Sequence, residues 1–211
     1  MPPIVTLVDY GIGNLRSVEK ALVAAGAEVR LTGDRHEVLA AEKLLLPGVG
    51  AFGDGMRGLQ QRGLVDALRA AAERGTPLLG ICLGMQVLFE AGDESPGVPG
   101  LGLLPGVVRR FDGPGLGLKT PHTGWNVIEP ARSSPLLDGL PAGSYAYFNH
   151  GYYCLPADPA VCLAYTGYGV RFASVMGRGA LFGVQFHPEK SQAVGLALLR
   201  NFVNLPAGGR P

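Results

Sequence analysis

A cysteine between two glycines lies in the segment GICLGMQ, residues 80–86. The apolar run PLLGI precedes Cys82 and a helical pattern begins near Leu83, so the segment predicts a sharp strand-to-helix turn that presents a nucleophile. Gly80 and Gly84 would let the strand and the helix pack closely at such a turn. The free amides and the dipole at the start of a helix favour a thiolate. The alternative interpretation is a buried cysteine that serves as a small hydrophobic residue.

A thiol nucleophile needs a base, and His187 in GVQFHPEK is the best candidate. It ends an apolar strand, and Glu189 follows two residues later, on the same side of the chain if the extended geometry continues. A carboxylate there would fix the imidazole tautomer and stabilise the imidazolium. The alternative is a capping histidine with a solvated glutamate. Among the other histidines, His36 lies in a polar stretch and is expected to face solvent, whereas His122 and His150 could line a pocket.

The loop PGVG, residues 47–50, follows an apolar strand pattern. Its glycines allow backbone N–H groups to turn toward a ligand. One such N–H, near Gly50, together with the N–H of Leu83 directly after Cys82, would form an oxyanion hole in which each donor contributes about 3 kcal/mol. Taken alone, the loop would be interpreted as a flexible turn.

Three glycine-rich stretches invite comparison with nucleotide-binding loops. GDGMRG, residues 53–58, matches G-x-G-x-x-G but follows a loop instead of a strand. GIGNLR has an arginine where the third glycine belongs, and GPGLGLKT has Leu118 where a phosphate-binding loop needs glycine before Lys119. The sequence therefore gives no sign of ATP chemistry. It also predicts no metal site, because no His, Cys or carboxylate cluster has the spacing of metal ligands.

The elements that must position these residues alternate between strand and helix in the first half of the chain. The runs IVTLVDY, EVRLT, KLLLPG and PLLGI predict strands, and a long amphipathic segment with Leu59, Val65 and Leu68 ends at ERGTP. From about residue 125 the pattern is rich in strands, and AVGLALLRNFVN predicts a closing helix. We therefore expect an α/β fold with an open, mostly parallel central sheet, helices on both faces, a nucleophile elbow and a β-rich C-terminal half.

Bulk composition narrows the class of protein. The chain is 47% hydrophobic and 17% charged, a composition that argues against disorder, and its 211 residues favour a single domain spanning residues 1–211. A formal charge of +1 gives no general attraction to nucleic acid or to a membrane. Three irregularly spaced cysteines fit neither a disulfide framework nor a CxxC metal site. With no leader pattern and no long apolar run, we expect a cytoplasmic protein.

Together, PGVGAFGDG, GICLGMQVLFE and GVQFHPEKS resemble the class I, or triad, glutamine amidotransferases. Within that family, DYGIGNLRSV, PHTGWN and YFNHGYY resemble the glutaminase subunits of imidazole-glycerol-phosphate synthases, and this resemblance spans essentially the whole chain. It implies that Cys82 is the nucleophile, His187 the general base and acid, and Glu189 the residue that orients His187. The glutamine pocket that it implies consists of Gly48, Gly50, Gln86, His150, Gly151 and Tyr152.

The resemblance also implies a substrate and a partner. The substrate is glutamine, no cofactor is needed, and the partner is a synthase (cyclase) subunit of the (β/α)8 type that receives ammonia within a heterodimer. The segments expected to face this partner carry Asn14, Arg16, Trp125 and Lys190. The loop at residues 47–50 could keep its oxyanion N–H turned away until the partner binds. The alternatives are a glutaminase of pyridoxal-phosphate synthase, or a non-catalytic α/β protein that uses Cys82 for redox sensing or binding.

Three positions depart from the family pattern. Gly151 stands where a serine is usual, Asn149 where an apolar residue is usual, and Thr123 where methionine is common. If the pocket uses the backbone at position 151, glycine suffices. If it uses a hydroxyl group there, the affinity for glutamine should be lower.

Overall fold

The computed structural model describes residues 1–112, 115 and 117–207. The helices are α1 (Leu15–Ala24), α2 (Arg35–Ala40), α3 (Phe52–Gln61), α4 (Leu64–Glu73), α5 (Leu83–Gln86) and α6 (Gln192–Asn204). The strands are β1 (Ile4–Val8), β2 (Glu28–Thr32), β3 (Leu44–Leu46), β4 (Leu78–Ile81), β5 (Ala91–Gly92), β6 (Gly106–Arg110), β7 (His122–Val127), β8 (Glu129–Pro130), β9 (Tyr145–His150), β10 (Tyr152–Pro156), β11 (Cys162–Tyr168), β12 (Val170–Arg178) and β13 (Leu181–Val184). Short 3₁₀ turns lie at Pro135–Leu137, Pro159–Val161 and Pro188–Lys190.

The central sheet has eight strands in the order β2-β1-β3-β4-β13-β12-β11-β8. Strands β2, β1, β3, β4 and β13 are parallel, whereas β12, β11 and β8 continue the sheet in antiparallel pairs. Two small sheets, β10-β6-β5 and β7-β9, lie outside it. The prediction of an α/β fold with an open, mostly parallel sheet and a β-rich C-terminal half is confirmed.

Hydrophobic cores cover both faces of the central sheet, because successive side chains of a strand point to opposite faces. Leu45 and Leu79 pack on one face against residues of α1 and α6. Leu44 and Leu78 pack on the other face against residues of α3 and α4. Strands buried on both sides appear in a sequence as continuous apolar runs, which is the pattern of LLL in β3 and LLGI in β4.

Local structure differs from the sequence prediction at two places. The amphipathic segment expected to run to ERGTP is two helices, because Gly63 adopts a left-handed conformation with φ of 65° and ends α3 before α4 begins. The polar stretch around the exposed His36 contains a helix, α2, whose first amides at His36 and Glu37 are capped by the Asp34 carboxylate. Capping by a single aspartate is a weak signal in so short a segment.

The glycine-rich stretch GDGMRG lies within α3 rather than in a loop between a strand and a helix. A Cβ atom added to Gly58 would meet the carbonyl oxygen of Tyr10 at 2.5 Å, so this glycine serves close packing. In GPGLGLKT, residues 113, 114 and 116 lie outside the described residues. None of the helices within the described ranges has the length and hydrophobicity to span a bilayer.

Candidate active site

Cys82 lies at the turn between β4 and α5, with φ of 53° and ψ of −109°. A positive φ at a non-glycine residue costs on the order of 1–3 kcal/mol and persists only where the surroundings impose it. The surroundings here are tight. A Cβ atom on Gly80 would lie 2.6 Å from the carbonyl oxygen of Gly84, and a Cβ atom on Gly84 would overlap the carbonyl oxygen of Leu46. The two glycines therefore allow β4, α5 and β3 to approach one another around the thiol.

The pairing of β4 with β13 brings the C-terminal segment to this turn. The two strands are parallel with Ile81 opposite Val184, and the amide of Cys82 donates to the carbonyl of Val184 at 2.8 Å. Gln185 and His187, which follow Val184, therefore emerge at the same edge of the sheet as Cys82. The carboxyl ends of adjacent parallel strands form a ligand-binding edge in open α/β sheets.

The backbone and the side chain of His187 are both held in place. Its Nδ1 lies 2.9 Å from Oε1 of Glu189, and both side chains are almost fully buried. The Ser191 hydroxyl donates to the carbonyl of His187 at 2.6 Å and accepts from the amide of Tyr147 at 3.0 Å. The amide of His187 donates to the carbonyl of Tyr147 at 2.9 Å. The imidazole is thus held at Nδ1 by the carboxylate, and it lines the same cavity as Cys82.

Two opposing influences set the pKa of His187. Burial lowers it, but hydrogen bonds to the Cys82 sulfur and to the Glu189 carboxylate, together with the negative charges of both groups, outweigh burial and raise the pKa from 6.5 to about 10. The imidazole is therefore protonated at neutral pH, the form that can stabilise a negative sulfur and protonate a leaving group. Because the folded-state pKa is raised, this interaction stabilises the fold fully below pH 6.5, and its contribution is lost as the pH rises through 10.

Replacing Glu189 with glutamine should shift the pH dependence of the reaction. The variant loses one of the two groups that raise the pKa of His187, so the alkaline limb of kcat/KM should move to lower pH by about 1–3 pH units. Glu129→Gln is the matched control, because Glu129 forms an exposed ion pair with Arg171 and such pairs contribute little. A full pH–rate profile of each enzyme measures the shift. An alkaline limb at the same pH in both variants would contradict the pairing.

A cavity of about 270 Å³ opens directly onto the thiol. The residues that line it are Val49, Gly50, Cys82, Leu83, Gln86, Glu94, Pro121, Asn149, His150, Gly151, Tyr152 and His187. The structure thus brings together most of the predicted catalytic, oxyanion and pocket residues. Two predicted site residues are not among the described lining residues. Glu189 contacts the site only through its hydrogen bond with His187, and Gly48 is buried. A Cβ atom there would lie 2.6 Å from the Tyr10 hydroxyl, so Gly48 serves close packing.

Both residues that carry the predicted oxyanion donors line the cavity beside the thiol. Leu83 occupies the first position of α5, where an amide has no acceptor within its own helix. Gly50 has φ of 98°, a conformation that favours glycine, and lies at the exposed end of the loop at residues 47–50. The other end of that loop is fixed, because the buried Tyr10 hydroxyl donates to the carbonyl of Pro47 at 2.6 Å. Burial, and then the charge on Cys82, raise the pKa of Tyr10, so it stays a neutral donor.

Sequence analysis missed two residues of the site, Glu94 and Gln185. Glu94 is the one carboxylate among the described lining residues, and its Oε2 accepts from the amide of Phe52 at 2.7 Å, at the start of α3. It comes from a loop, and no periodic pattern pointed to it. Gln185 is fully buried with its Nε2 3.7 Å from Sγ of Cys82. Its position two residues before His187, in a segment whose sequence predicts extended structure, is a signal that could have identified it.

The residues predicted to face a partner lie on neighbouring elements. Trp125 is 47% exposed, and its ring lies 6.1 Å from that of Tyr147. Lys190 is exposed, with its Nζ 5.6 Å from the centre of the same Tyr147 ring. Asn14 and Arg16 are exposed at the start of α1, which packs against the turn that carries Lys190.

Comparison with known proteins identifies the family. Residues 6–205 match the family model described as glutamine amidotransferase class-I. This chain belongs to the class-I glutamine amidotransferases. The amidotransferase is 52% identical over 205 residues to the imidazole glycerol phosphate synthase subunit HisH of Moorella thermoacetica, covering 97% of this chain and 96% of that protein. It is 50% identical over 208 residues to the HisH subunit of Geobacillus kaustophilus, covering 97% and 98%.

Solved structures show the same fold at lower identity. The amidotransferase superposes on a chain of PurLQS from Thermotoga maritima with a TM-score of 0.78 and 21% identity, covering 97% of this chain and 99% of that one. A crystal structure described as a glutamine amidotransferase gives a TM-score of 0.74 at 21% identity, covering 95% and 99%. At 21% sequence identity, this similarity shows that the fold is shared and nothing more.

Two of the departures from the family pattern contact each other in the amidotransferase. Thr123 and Asn149 are opposite residues of β7 and β9, and the Thr123 hydroxyl donates to Oδ1 of Asn149 at 3.1 Å. The two polar side chains therefore hydrogen-bond to each other across the two strands. A Cβ atom on Gly151 would lie 3.5 Å from Cγ2 of Thr120, an ordinary contact, so glycine is not required by packing there. Within the described part of the amidotransferase, no group of three or more His, Cys, Asp or Glu side chains is placed to hold a metal ion.

Proposed function

We propose that this chain is the glutaminase subunit of an imidazole glycerol phosphate synthase. It hydrolyses glutamine to glutamate and ammonia, and passes the ammonia to a synthase (cyclase) subunit for the histidine pathway. The observation that carries the proposal is the identity of about half of all residues, over nearly the full chain, to HisH subunits of that synthase. The cavity beside Cys82, His187 and Glu189 supports it, because it supplies a nucleophile, an acid–base group and its orienting carboxylate in one place.

The proposed reaction proceeds through a covalent intermediate. The sulfur of Cys82 attacks the side-chain amide carbon of glutamine, and the oxygen that becomes negative accepts from the amides of Leu83 and Gly50. The C–N bond then breaks while His187 transfers a proton to the nitrogen, which leaves as ammonia and yields a γ-glutamyl thioester. His187 next accepts a proton from water, which attacks the thioester, and the C–S bond breaks to release glutamate and restore the negative sulfur.

Glutamine recognition in this proposal uses the walls of the cavity. Glu94 supplies negative charge for the α-ammonium group of the substrate, since it is the carboxylate in the described lining. Gln86 donates its Nε2 to the carbonyl of Tyr152 at 3.2 Å, which leaves its Oε1 to accept from the substrate amide. Gly50, His150 and Gly151 complete the predicted pocket, whereas Gly48 supports it through packing.

A partner subunit is required by the chemistry of ammonia. In neutral water ammonia is mostly ammonium, which is not a nucleophile, so the product must pass through protein to its acceptor. We propose a (β/α)8 cyclase subunit that docks over the cavity and contacts Asn14, Arg16, Trp125 and Lys190. The exposed Trp125 beside Tyr147 gives this surface the aromatic character that is enriched at protein interfaces. Lys190, beside the same Tyr147 ring, adds a positive charge that an acidic group of the partner could complement. The heterodimer is proposed to act in the cytoplasm, where the free thiols of Cys82, Cys154 and Cys162 would remain reduced.

The proposal also treats residues 1–211 as one amidotransferase domain. Its support is that the two hydrophobic cores share the central sheet, with β3 and β4 contributing side chains to both. A domain boundary between β1 and β13 would have to divide the eight-stranded central sheet. The four C-terminal residues, 208–211, lie outside the described structure.

Glutamine labelled with ¹⁵N in its side-chain amide tests the proposed function. The chain alone should release glutamate slowly, and mixing with the cyclase subunit and its nucleotide substrate should accelerate release and place ¹⁵N in the imidazole product. Ammonium salt at alkaline pH serves as the control, because the cyclase alone should use it. Absence of glutamate release under all these conditions would refute the proposal, and label appearing only in free ammonium would refute the transfer step.

A further inference from the structure

Two buried glutamine side chains connect the Cys82 sulfur to the backbone of β10. Nε2 of Gln185 lies 3.7 Å from Sγ of Cys82, and Oε1 of Gln185 lies 3.2 Å from Nε2 of Gln86. The same Nε2 of Gln86 lies 3.2 Å from the carbonyl oxygen of Tyr152. Gln185 has no exposed surface and is not among the described residues that line the cavity. Its side chain is therefore placed to act on the nucleophile and not on the substrate.

The Tyr152 carbonyl fixes which way both amides point. A carbonyl oxygen only accepts, so the end of Gln86 that faces it is the NH₂ group. That NH₂ group also faces Gln185, so the atom of Gln185 opposite it must be the oxygen. The NH₂ group of Gln185 then faces the sulfur. The bonding pattern thus assigns a donor, and not an acceptor, to the position beside Sγ.

A second branch of hydrogen bonds reaches the same carbonyl. Nδ1 of His150 lies 2.7 Å from the oxygen of Tyr152 and must donate to it, so Nε2 of His150 accepts from Nδ1 of His122 at 3.1 Å. Nε2 of His122 accepts from Nδ2 of Asn126 at 3.2 Å. Burial lowers the pKa of His150 to about 3 and that of His122 to about 4, so both rings are neutral and hold one tautomer. At neutral pH the Tyr152 carbonyl therefore accepts hydrogen bonds from both His150 and Gln86.

We propose that Gln185 is a catalytic residue that donates a hydrogen bond to the sulfur of Cys82 and is oriented for this by the Tyr152 carbonyl through Gln86. This inference rests on the proposed role of Cys82 as the nucleophile. A donor stabilises the negative sulfur more than the neutral thioester. The hydrogen bond from Gln185 therefore stabilises the thiolate that attacks glutamine. It also stabilises the sulfur that leaves with the electron pair of the C–S bond when water attacks the thioester.

Several titratable groups surround the sulfur and contribute to any pH dependence measured there. They are His187 with its partner Glu189, the buried Tyr10 and Cys154, and Glu94 and His150 in the cavity wall. The two substitutions of Gln185 used below leave all of these groups in place, and Gln185→Glu adds one carboxylate at position 185 itself. A change in the titration of the sulfur between variants is therefore attributed to position 185.

The pH dependence of Cys82 alkylation by iodoacetamide tests the hydrogen bond without requiring glutamine turnover. In the full chain, Gln185→Met removes the donor at similar size, and the midpoint of alkylation should move to higher pH by about 1 pH unit. Gln185→Glu places a carboxylate oxygen beside the sulfur, and the midpoint should move further in the same direction. In the assembled synthase, kcat with glutamine should fall on the order of 10-fold for Gln185→Met, with KM changed by less than about twofold.

Ser174→Ala is the matched control. The amide of Gln185 donates to the carbonyl of Ser174, and the Ser174 hydroxyl is buried with no hydrogen-bond partner in the described structure. Removal of the Ser174 hydroxyl should leave the alkylation profile and kcat at parental values.

Parental alkylation profiles in both folded Gln185 variants would overturn the inference. If those variants fail to fold, the test uses Gln86→Met, which removes the link between Gln185 and Tyr152. An alkylation midpoint at the parental pH in that variant would also overturn the inference. Shifted midpoints in a chain that releases no glutamate would instead refute the proposed function.

Discussion

Replacing Cys82 with alanine should abolish synthesis from glutamine and leave synthesis from ammonium salt unchanged in the assembled enzyme. As the proposed nucleophile, Cys82 would act only on glutamine, so its loss should lower the glutamine-dependent kcat on the order of 10⁴-fold or more. In the proposed division of labour, the cyclase reaction with free ammonia would not use the thiol. Parallel assays with glutamine and with ammonium salt at alkaline pH measure the two activities in the same preparation.

The other cysteines supply the control for this substitution. Cys162 is also buried and free, but it lies in β11, in the antiparallel part of the central sheet. Cys162→Ala should retain both activities. Equal loss of the two activities in Cys82→Ala would indicate a structural role for the thiol, and retention of glutamine-dependent synthesis would exclude Cys82 as the nucleophile.

Replacing Gly84 with alanine should destabilise the whole fold. The added Cβ atom would overlap the carbonyl oxygen of Leu46, which belongs to the backbone of a fully buried strand and has little room to move. Overpacking of a core usually costs about 1–3 kcal/mol, and we expect about 3 kcal/mol or more here because backbone must shift. The shift would also separate the loop at residues 47–50 from Cys82, so glutaminase activity should fall in any protein that still folds.

Gly167→Ala is the matched control, because a Cβ atom at Gly167 meets nothing within 4 Å and its φ lies outside the left-handed region. Its free energy of unfolding should stay within about 1 kcal/mol of the parent. Urea unfolding of the three proteins gives the comparison. Equal stability of the Gly84 and Gly167 variants would show that β3 and α5 are not in the close contact described.

Elements with a local signal in the sequence were predicted correctly, whereas those that depend on packing were not. The strand patterns and the closing helix were predictable, because burial on one or both faces leaves a local apolar period. The break at Gly63 was not, since an isolated glycine in a helical pattern is often tolerated and its left-handed φ depends on how α3 and α4 pack. The candidate nucleophile and base were predictable from their residue types and from the flanking glycines, proline and glutamate.

The amino-acid sequence by itself determined the family, the type of fold and the residues proposed for the chemistry, because these depend on local motifs and on the order of elements along the chain. Tertiary structure decided which residues meet. The insertion of β13 beside β4, with Val184 opposite Ile81, places His187 and Gln185 next to Cys82. Glu94, Gln185 and the Thr123–Asn149 pair gained their significance only from such contacts. Their partners are far away in sequence, and strand pairing is set by packing over the whole sheet, which no local pattern encodes.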